Sequence, residues 1–239
     1  MRLKLTVAYD GTGFRGWAAQ PGLRTVEGAV RDALTQLASA VQLQHFAVAG
    51  RTDTGVHALA NVVSVEAAGG PPLSRTAEAL NSVLPPDVAV TAAAEADPKF
   101  HARFDARARS YRYRLRRSRI RSPFESHHAW WHPRAYDLDR LNEQAALLVG
   151  QHDFRAFTPA ETQHDTFARV VESARWLEED EETIAFEITA DSFLRHMVRT
   201  LVGTMADGID LEPLVDGRPR EDAGQTAPPH GLYLVSVRY

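Results

Sequence analysis

Ala49-Gly50-Arg51-Thr52-Asp53-Thr54-Gly55-Val56-His57-Ala58 joins two apolar segments, His45-Phe46-Ala47-Val48-Ala49 before it and Asn61-Val62-Val63-Ser64-Val65 after it. Both segments are short and rich in β-branched residues, so each reads as a strand and the stretch between them as a β-β connection. Gly50 and Gly55 permit positive φ and close backbone approach. Asp53 is thereby held on a tight loop, two residues from Arg51. A neighbouring cation favours the ionised carboxylate, and an ionised carboxylate on a rigid loop can serve as nucleophile or general base. The plainer reading is that Asp53 caps its own turn, as Asp commonly does.

Upstream, Leu3, Leu5, Val7 and Tyr9 alternate with Arg2, Lys4, Thr6 and Ala8, the period of a half-buried strand. Asp10-Gly11-Thr12-Gly13 ends it and Phe14-Arg15-Gly16-Trp17 follows as a loop. A phosphate-loop reading of Gly11 to Gly16 lacks the Gly-Lys-Ser/Thr that should follow. From Thr25, a candidate N-cap, Val26, Ala29, Val30, Ala33, Leu34 and Leu37 recur at three and four, which predicts a helix. Downstream, Ser74 can cap a second helix carrying Ala77, Leu80 and Leu84; Pro85-Pro86-Asp87 ends it and Val88-Ala89-Val90 opens another strand. The order β-α-β-β-α-β is ferredoxin-like, an antiparallel sheet with helices on one face. The other face would stay open, as in RNA-binding domains of this shape. This predicts an N-terminal domain over 1–100 that carries the Asp53 loop.

Residues 101–239 read as a second ferredoxin-like half, giving an α+β protein overall. Tyr111, Tyr113 and Leu115 alternate with Arg112, Arg114 and Arg116 in a strand. Trp130-Trp131 looks like strand core, and Asp137 can cap a helix with Leu138, Leu141, Ala145 and Leu148, closed by Gly150. Gly150-Gln151-His152-Asp153-Phe154 reads as a structural loop with Asp153 bonded to backbone. Val170 to Leu177 and Ile184 to Ala190 form an antiparallel pair around Glu178-Glu179-Asp180-Glu181-Glu182, an acidic turn expected to be solvated. Phe193, Met197 and Leu201 make one helical stripe, Leu194, Val198, Val202 and Met205 its neighbour, and Arg195 and Arg199 share a face. A final strand runs through Leu232-Tyr233-Leu234. This half is expected as β-α-β-β-α-β preceded by the Tyr111 strand. His127, His128 and His132 have no carboxylate or thiol at a supporting interval, so no metal site is expected.

The chain has 239 residues, 44% of them hydrophobic, and no cysteine, which excludes disulfides and thiolate-zinc sites. Met1-Arg2-Leu3-Lys4-Leu5-Thr6 lacks the apolar core of a signal peptide, and no run approaches the length of a bilayer span; a cytoplasmic, non-membrane protein is expected. The formal net charge is -4, yet from Lys99 to Arg121 ten basic residues face one acid, Asp105. Such a basic segment suits a polyanion. Read from the residues alone, Arg112, Arg114 and Arg116 are equally an ordinary solvated strand face above two core tyrosines.

Gly50-Arg51-Thr52-Asp53-Thr54-Gly55-Val56-His57-Ala58 closely resembles the GRTDAGVHA signature of the tRNA pseudouridine synthase A family, with Thr54 where the family usually has Ala. Tyr9-Asp10-Gly11 through Gly16-Trp17 resembles its YDG-x-x-F-x-GWQ opening, with Ala18 at the glutamine. Ser110-Tyr111-Arg112-Tyr113 resembles its aromatic pair, which follows a phenylalanine-alanine-arginine element, here Phe100-His101-Ala102-Arg103 or Phe104-Asp105-Ala106-Arg107. Gly150 to Phe154 resembles its G-x-HDF element. Ser192-Phe193-Leu194-Arg195-His196-Met197-Val198-Arg199 resembles its SFLRHMVR helix, with Thr200 at a place often held by Asn. Thr226 to Leu234 matches its last motif, after a connecting segment shorter than usual.

The resemblance covers nearly the whole chain, in the family's order. It implies the pseudouridine synthase fold, with the active-site cleft between two ferredoxin-like halves. It also implies conversion of uridine to pseudouridine in the anticodon stem-loop of tRNA, at positions 38 to 40. Asp53 takes the place of the nucleophile, Tyr111 contacts the target uracil, and Arg199 pairs with Asp53. Arg51 fills the vacated stack or holds phosphate, and Leu232, in the last motif, contacts substrate. The reaction is an isomerisation, so no cofactor or metal is implied, and the family acts as a homodimer on tRNA. The alternative is a non-catalytic RNA-binding module of ferredoxin-like shape, which needs stacking aromatics on its central strands; Asn61 to Val65 has none. A hydrolase using Asp53 and His57 would lack a Ser or Cys nucleophile signature.

Overall fold

The computed structural model describes residues 1–37, 43–162 and 165–239. The chain is α+β and forms two compact units, Met1–Arg107 with Tyr233–Tyr239, and Ala108–Leu232. The last seven residues thus belong with the first unit rather than with the half that precedes them in sequence.

In the first unit, β1 (Arg2–Tyr9), α1 (Val26–Leu37), β2 (Gln44–Val48), β3 (His57–Glu66), α2 (Leu73–Val83) and β4 (Val88–Glu95) follow in the ferredoxin-like order. The sheet runs β4-β1-β3-β2 with antiparallel pairing throughout. Leu3 lies opposite Val65 and Leu5 opposite Val63. Leu3 also shares an apolar space with Leu34 of α1 and Leu80 of α2, so this face of the sheet packs on the helices. Each such aliphatic side chain contributes about 1.5–3 kcal/mol on full burial. Thr25 caps α1 as expected, its Oγ1 accepting from Gly28 N at 3.3 Å. Ser74 does not cap α2: the helix starts at Leu73, and Pro72, in extended conformation, holds the cap position.

The opposite face is not open. Val62 and Ala49 are buried there against Ala102, with Phe100, Val237 and Tyr239 packed around them. The Lys4 ammonium stands 4.2 Å from the Tyr239 ring centroid and 5.4 Å from that of Phe100. Alternation dictates this: Val63 and Val65 face the helices, so the apolar Val62 needs a cover on the other side. Tyr233 and Leu234 pair in parallel with His57 and Ala58.

The second unit comprises β5 (Ala108–Arg116), β6 (Trp130–Trp131), α3 (Leu138–Ala146), β7 (Gly150–Asp153), β8 (Ala168–Glu178), β9 (Thr183–Ala190) and α4 (Met197–Ala206), and the chain closes with β10 (Leu232–Arg238). Its antiparallel sheet runs β5-β9-β8-β7. Three strands, β7, β8 and β9, separate α3 from α4 where the expected β-α-β-β-α-β order has two, and the Tyr111 strand, β5, pairs with the third of them, β9. The Trp130–Trp131 strand is an accessory piece, paired in parallel with Leu115 and Arg116. Asp137 caps α3 through Asp139 N and Arg140 N. Tyr113, Phe186 and Trp176 lie side by side across three strands. Trp176 Nε1 donates to Met205 Sδ of α4 at 3.3 Å, and its backbone N to Asn142 Oδ1 of α3 at 2.8 Å, so both helices cover this face.

The other face carries the arginines, and they are not free for a polyanion. Glu187, between Arg112 and Arg175, accepts from Arg112 at 2.6 and 3.1 Å through Oε1 and from Arg175 at 2.7 and 3.0 Å through Oε2. Glu179 bridges Arg112 at 3.3 Å and Arg114 at 2.7 Å, and Glu125 takes Arg114 at 2.8 Å. Arg116 pairs with Glu182, and Arg117 with Glu178 at 2.7 Å. The acidic turn expected to be solvated folds back along β5 and neutralises it. Charge-assisted hydrogen bonds of this kind are stronger than neutral ones.

Burial opposes ionisation of Glu187, but the bonds from Arg175 and Arg112 outweigh it and hold its carboxyl below the usual carboxylate range. A folded-state pKa below the unfolded one stabilises the fold at neutral pH, and that stabilisation is lost as pH falls through the folded value. Glu187→Gln is therefore expected to lower unfolding free energy at pH 7 by about 1–3 kcal/mol, read from urea midpoints. The gap from wild type should close below the ordinary carboxylate range. A gap that persists unchanged in acid would contradict the network.

Candidate active site

Asp53 stands on the loop between β2 and β3, half-buried, between the buried Thr52 and the exposed Thr54. The loop is fixed from beneath. Thr52 Oγ1 and the Tyr9 hydroxyl are 2.8 Å apart, and Trp17 N donates to Thr52 O at 3.0 Å. The Asn61 amide nitrogen donates to Tyr9 Oη at 3.2 Å and to Gly50 O at 2.9 Å. Val56 N closes a turn on Asp53 O at 3.1 Å, and Gly55 supplies φ 78°. Burial pushes the Tyr9 hydroxyl up to about 12, against the opposing bonds from Thr52 and Asn61. Tyr9 is thus a neutral hydroxyl at the base of the loop, 5.7 Å centroid to centroid from Trp17.

Past the loop, Gly11 N donates to Nδ1 of the buried His57 at 3.0 Å. Asp10 Oδ1 lies 3.2 Å from the same nitrogen. Unprotonated, Nδ1 accepts from Gly11; protonated, it donates to Asp10. A Cβ on residue 11 would fall 2.1 Å from Val56 O, so only glycine allows β1's end to approach the loop this closely. The His57 ring stacks on Tyr233 at 4.6 Å and 21°. Arg51 is exposed. Tyr9, Trp17, Thr52, Asn61 and His57 as supports of Asp53 were not anticipated. The available signal was polarity: Asn61 and Tyr9 sit in otherwise apolar strand positions, and buried polar groups must find partners.

In the second unit, Tyr111 is half-buried on β5, its ring edge-on to Phe193 at 5.0 Å and 80°. Tyr113 is fully buried and donates to Pro228 O at 2.8 Å. Burial pushes its hydroxyl well above the usual range, with the Arg199 charge acting in the opposite sense. The aromatic pair thus divides into an anchor, Tyr113, and a partly exposed ring, Tyr111. Arg199 is half-buried on α4; its Nε donates to Ala227 O at 2.8 Å and Ala227 N donates back to Arg199 O at 3.1 Å. This reciprocal pair fixes the segment that leads into the buried Leu232. Arg195 does not share a helical face with Arg199. The helix starts only at Met197, because His196 takes a left-handed conformation, φ 63°, and Arg195 stays exposed in the preceding turn. Asp153 accepts from the Arg155 backbone N at 2.9 Å, and His132 Nδ1 is hydrogen-bonded to the Tyr136 hydroxyl.

A family model described as tRNA pseudouridine synthase matches residues 5–105 and 144–239. A tRNA pseudouridine synthase A from Bacillus pumilus (strain SAFR-032) is 36% identical over 246 residues, covering 100% of this chain and 99% of that protein. Proteins of the same name from Geobacillus kaustophilus (strain HTA426) and Bacillus subtilis (strain 168) are 38% and 37% identical, each over 100% of this chain and over 94% and 99% of their own lengths. Among solved structures, a chain of a Cbf5-Nop10-Gar1 complex aligns with 97% of this chain and 57% of its own length, at TM-score 0.41 and 11% identity, a likeness too distant to add weight. With the Asp53 loop and the Arg199 helix inside the matched segments, and with relatives of 36–38% identity spanning the whole chain, the chain belongs to the tRNA pseudouridine synthase family.

Proposed function

We propose that the chain converts uridine to pseudouridine in the anticodon stem-loop of tRNA, at positions 38 to 40, with Asp53 as the reacting carboxylate. The observation that carries this reading is the Asp53 loop. It has the family's residue pattern and a base of buried hydrogen bonds through Tyr9, Thr52 and Asn61. A carboxylate so restrained is suited to act at one atom, since misplacement by an ångström costs about a hundredfold in rate.

Asp53 acts at the ribose of the target nucleotide. The C1′–N1 bond breaks, the uracil turns, C5 bonds to C1′, the proton on C5 leaves and N1 takes up a proton. Substrate and product have the same composition, so the reaction needs no redox group or cofactor. A base within a stem must first leave its stack. Arg51, exposed beside the nucleophile, is assigned to the vacated space or its phosphate. Tyr111 meets the flipped uracil and Leu232 packs against it. Arg199, held at Nε by Ala227, is assigned to orient the Asp53 carboxylate. Two copies act together on tRNA in the cytoplasm. Among the described residues no helix is long and apolar enough to cross a membrane.

Asp53→Asn is expected to lower isomerisation by roughly 10⁴-fold or more while leaving tRNA binding close to wild type. Tritium release from 5-labelled uridine in tRNA measures it. Wild-type release by this variant would remove Asp53 from the chemistry and favour a binding module over this enzyme. Arg199→Met keeps the apolar stem and removes the charge. It is expected to lower kcat by about 10²–10³ with KM for tRNA close to wild type. A kcat that stays near wild type, or a loss confined to KM, would reject the pairing.

A further inference from the structure

With Arg112, Arg114, Arg116 and Arg117 committed to glutamates, the grip on an RNA backbone has to come from elsewhere. The turn after β4 stands out. Phe104 is 73% exposed, and its ring lies on the His101 imidazole, centroids 4.3 Å apart and planes 29° apart. The Arg103 guanidinium is 5.6 Å from the Phe104 centroid. Lys99, Arg103 and Arg107 are all exposed. The two acids at this turn bond backbone: Asp105 Oδ2 accepts from His101 N at 2.8 Å and Asp97 Oδ1 from Lys99 N at 2.8 Å.

A single exposed phenylalanine is ordinary; one on a turn this restrained is not. Asp105 N donates to His101 O at 3.0 Å. Ala102, wholly buried, donates its N–H to Ser64 Oγ at 3.0 Å and accepts at its carbonyl from Tyr239 Oη at 2.9 Å. His101 Nδ1 accepts from Arg103 N at 3.2 Å and Phe104 N at 3.3 Å. His101 thus does two jobs: its nitrogen ties down the turn and its ring backs the phenylalanine. The fold gains little from Phe104, which could be any residue as far as these backbone bonds are concerned. What they achieve is to hold a flat apolar face rigidly in solvent among cations.

We infer that the His101–Phe104 pair is a stacking platform for an unpaired base of the RNA substrate, with Lys99, Arg103 and Arg107 facing the flanking phosphates. The inference rests on the proposed action on tRNA and adds a contact outside the reacting centre. Rings amid positive charge are the usual means of holding single-stranded nucleic acid, since every base offers a π face. A second copy of this chain fits less well: three exposed cations around one ring make a poor apolar interface core.

The test is the affinity of the full chain for an unmodified tRNA transcript, measured across a salt series for wild type, Phe104→Ala, Phe104→Leu and Phe104→Tyr. Loss of one stacked base should weaken binding roughly 5- to 150-fold in the Ala and Leu variants. Tyr, which keeps the ring, should restore it. The slope of log K against log salt should stay as in wild type, because no phosphate contact is lost. Lys99→Gln and Arg107→Gln should each flatten that slope by roughly 0.7–0.9. Ala or Leu variants that bind as wild type would overturn the platform while leaving the enzymatic reading intact. So would a shift in oligomeric state that accounts for the whole loss, which would assign the ring to a second copy. Failure of wild type itself to bind the transcript would overturn both.

Discussion

The side-chain amide of Asn61 is the constraint on which the rest of the first unit depends. It is wholly buried in the central strand β3. Its nitrogen bonds Tyr9 Oη at the end of β1 and Gly50 O at the start of the Asp53 loop, and its oxygen accepts from Val62 N at 2.9 Å. A buried amide left unpaired costs about 1–3 kcal/mol, so the arrangement that pairs every group is strongly preferred over its neighbours. One polar side chain thereby sets the spacing between two strands and the loop that carries Asp53. The hydroxyl of Thr52, bonded to the same tyrosine, extends the restraint to the residue before Asp53. Rigidity at Asp53 is therefore a consequence of core packing and not of the loop alone.

Charge is arranged with equal economy. An acidic chain that handles RNA must keep its carboxylates away from the phosphates. Here five glutamates, Glu125, Glu178, Glu179, Glu182 and Glu187, are paired with the arginines of β5, with Arg117 just after it and with Arg175. The basic residues on that strand stabilise the second unit's sheet. Those at 99, 103 and 107 lie on a turn that covers the outer face of the first unit's sheet, and they keep their exposure. A count of charges along the chain merges these two groups, although one is paired with glutamates and the other is exposed.

Much of this was legible beforehand, for identifiable reasons. The ferredoxin-like order of the first unit follows from apolar periods of two and 3.6 that are unbroken from Leu3 to Val90, and the Asp53 loop is marked by its glycines and its motif. What failed was information that lies across the sheet. Alternation places Arg112, Arg114 and Arg116 on one face but says nothing of the glutamates opposite them. The supposed open face of the first sheet is covered by Phe100, Ala102 and Tyr239, two of them from the turn beyond β4 and one from the far end of the chain. The apolar stripe from Phe193 continues smoothly into α4, and nothing in it signals that His196 turns left-handed and delays the helix to Met197. The pairing of Tyr233 with His57 joins residues far apart in sequence, which local periodicity cannot see.

The most direct measurement is a carbodiimide map of an unmodified tRNA transcript before and after incubation with the purified protein, together with the mass of the intact RNA. The account expects new stops at positions 38 to 40 and a mass that does not change, the signature of an isomerisation within the anticodon stem-loop. Stops elsewhere in the tRNA would contradict the assigned site. No stops at all, or a change in mass, would contradict the assigned chemistry.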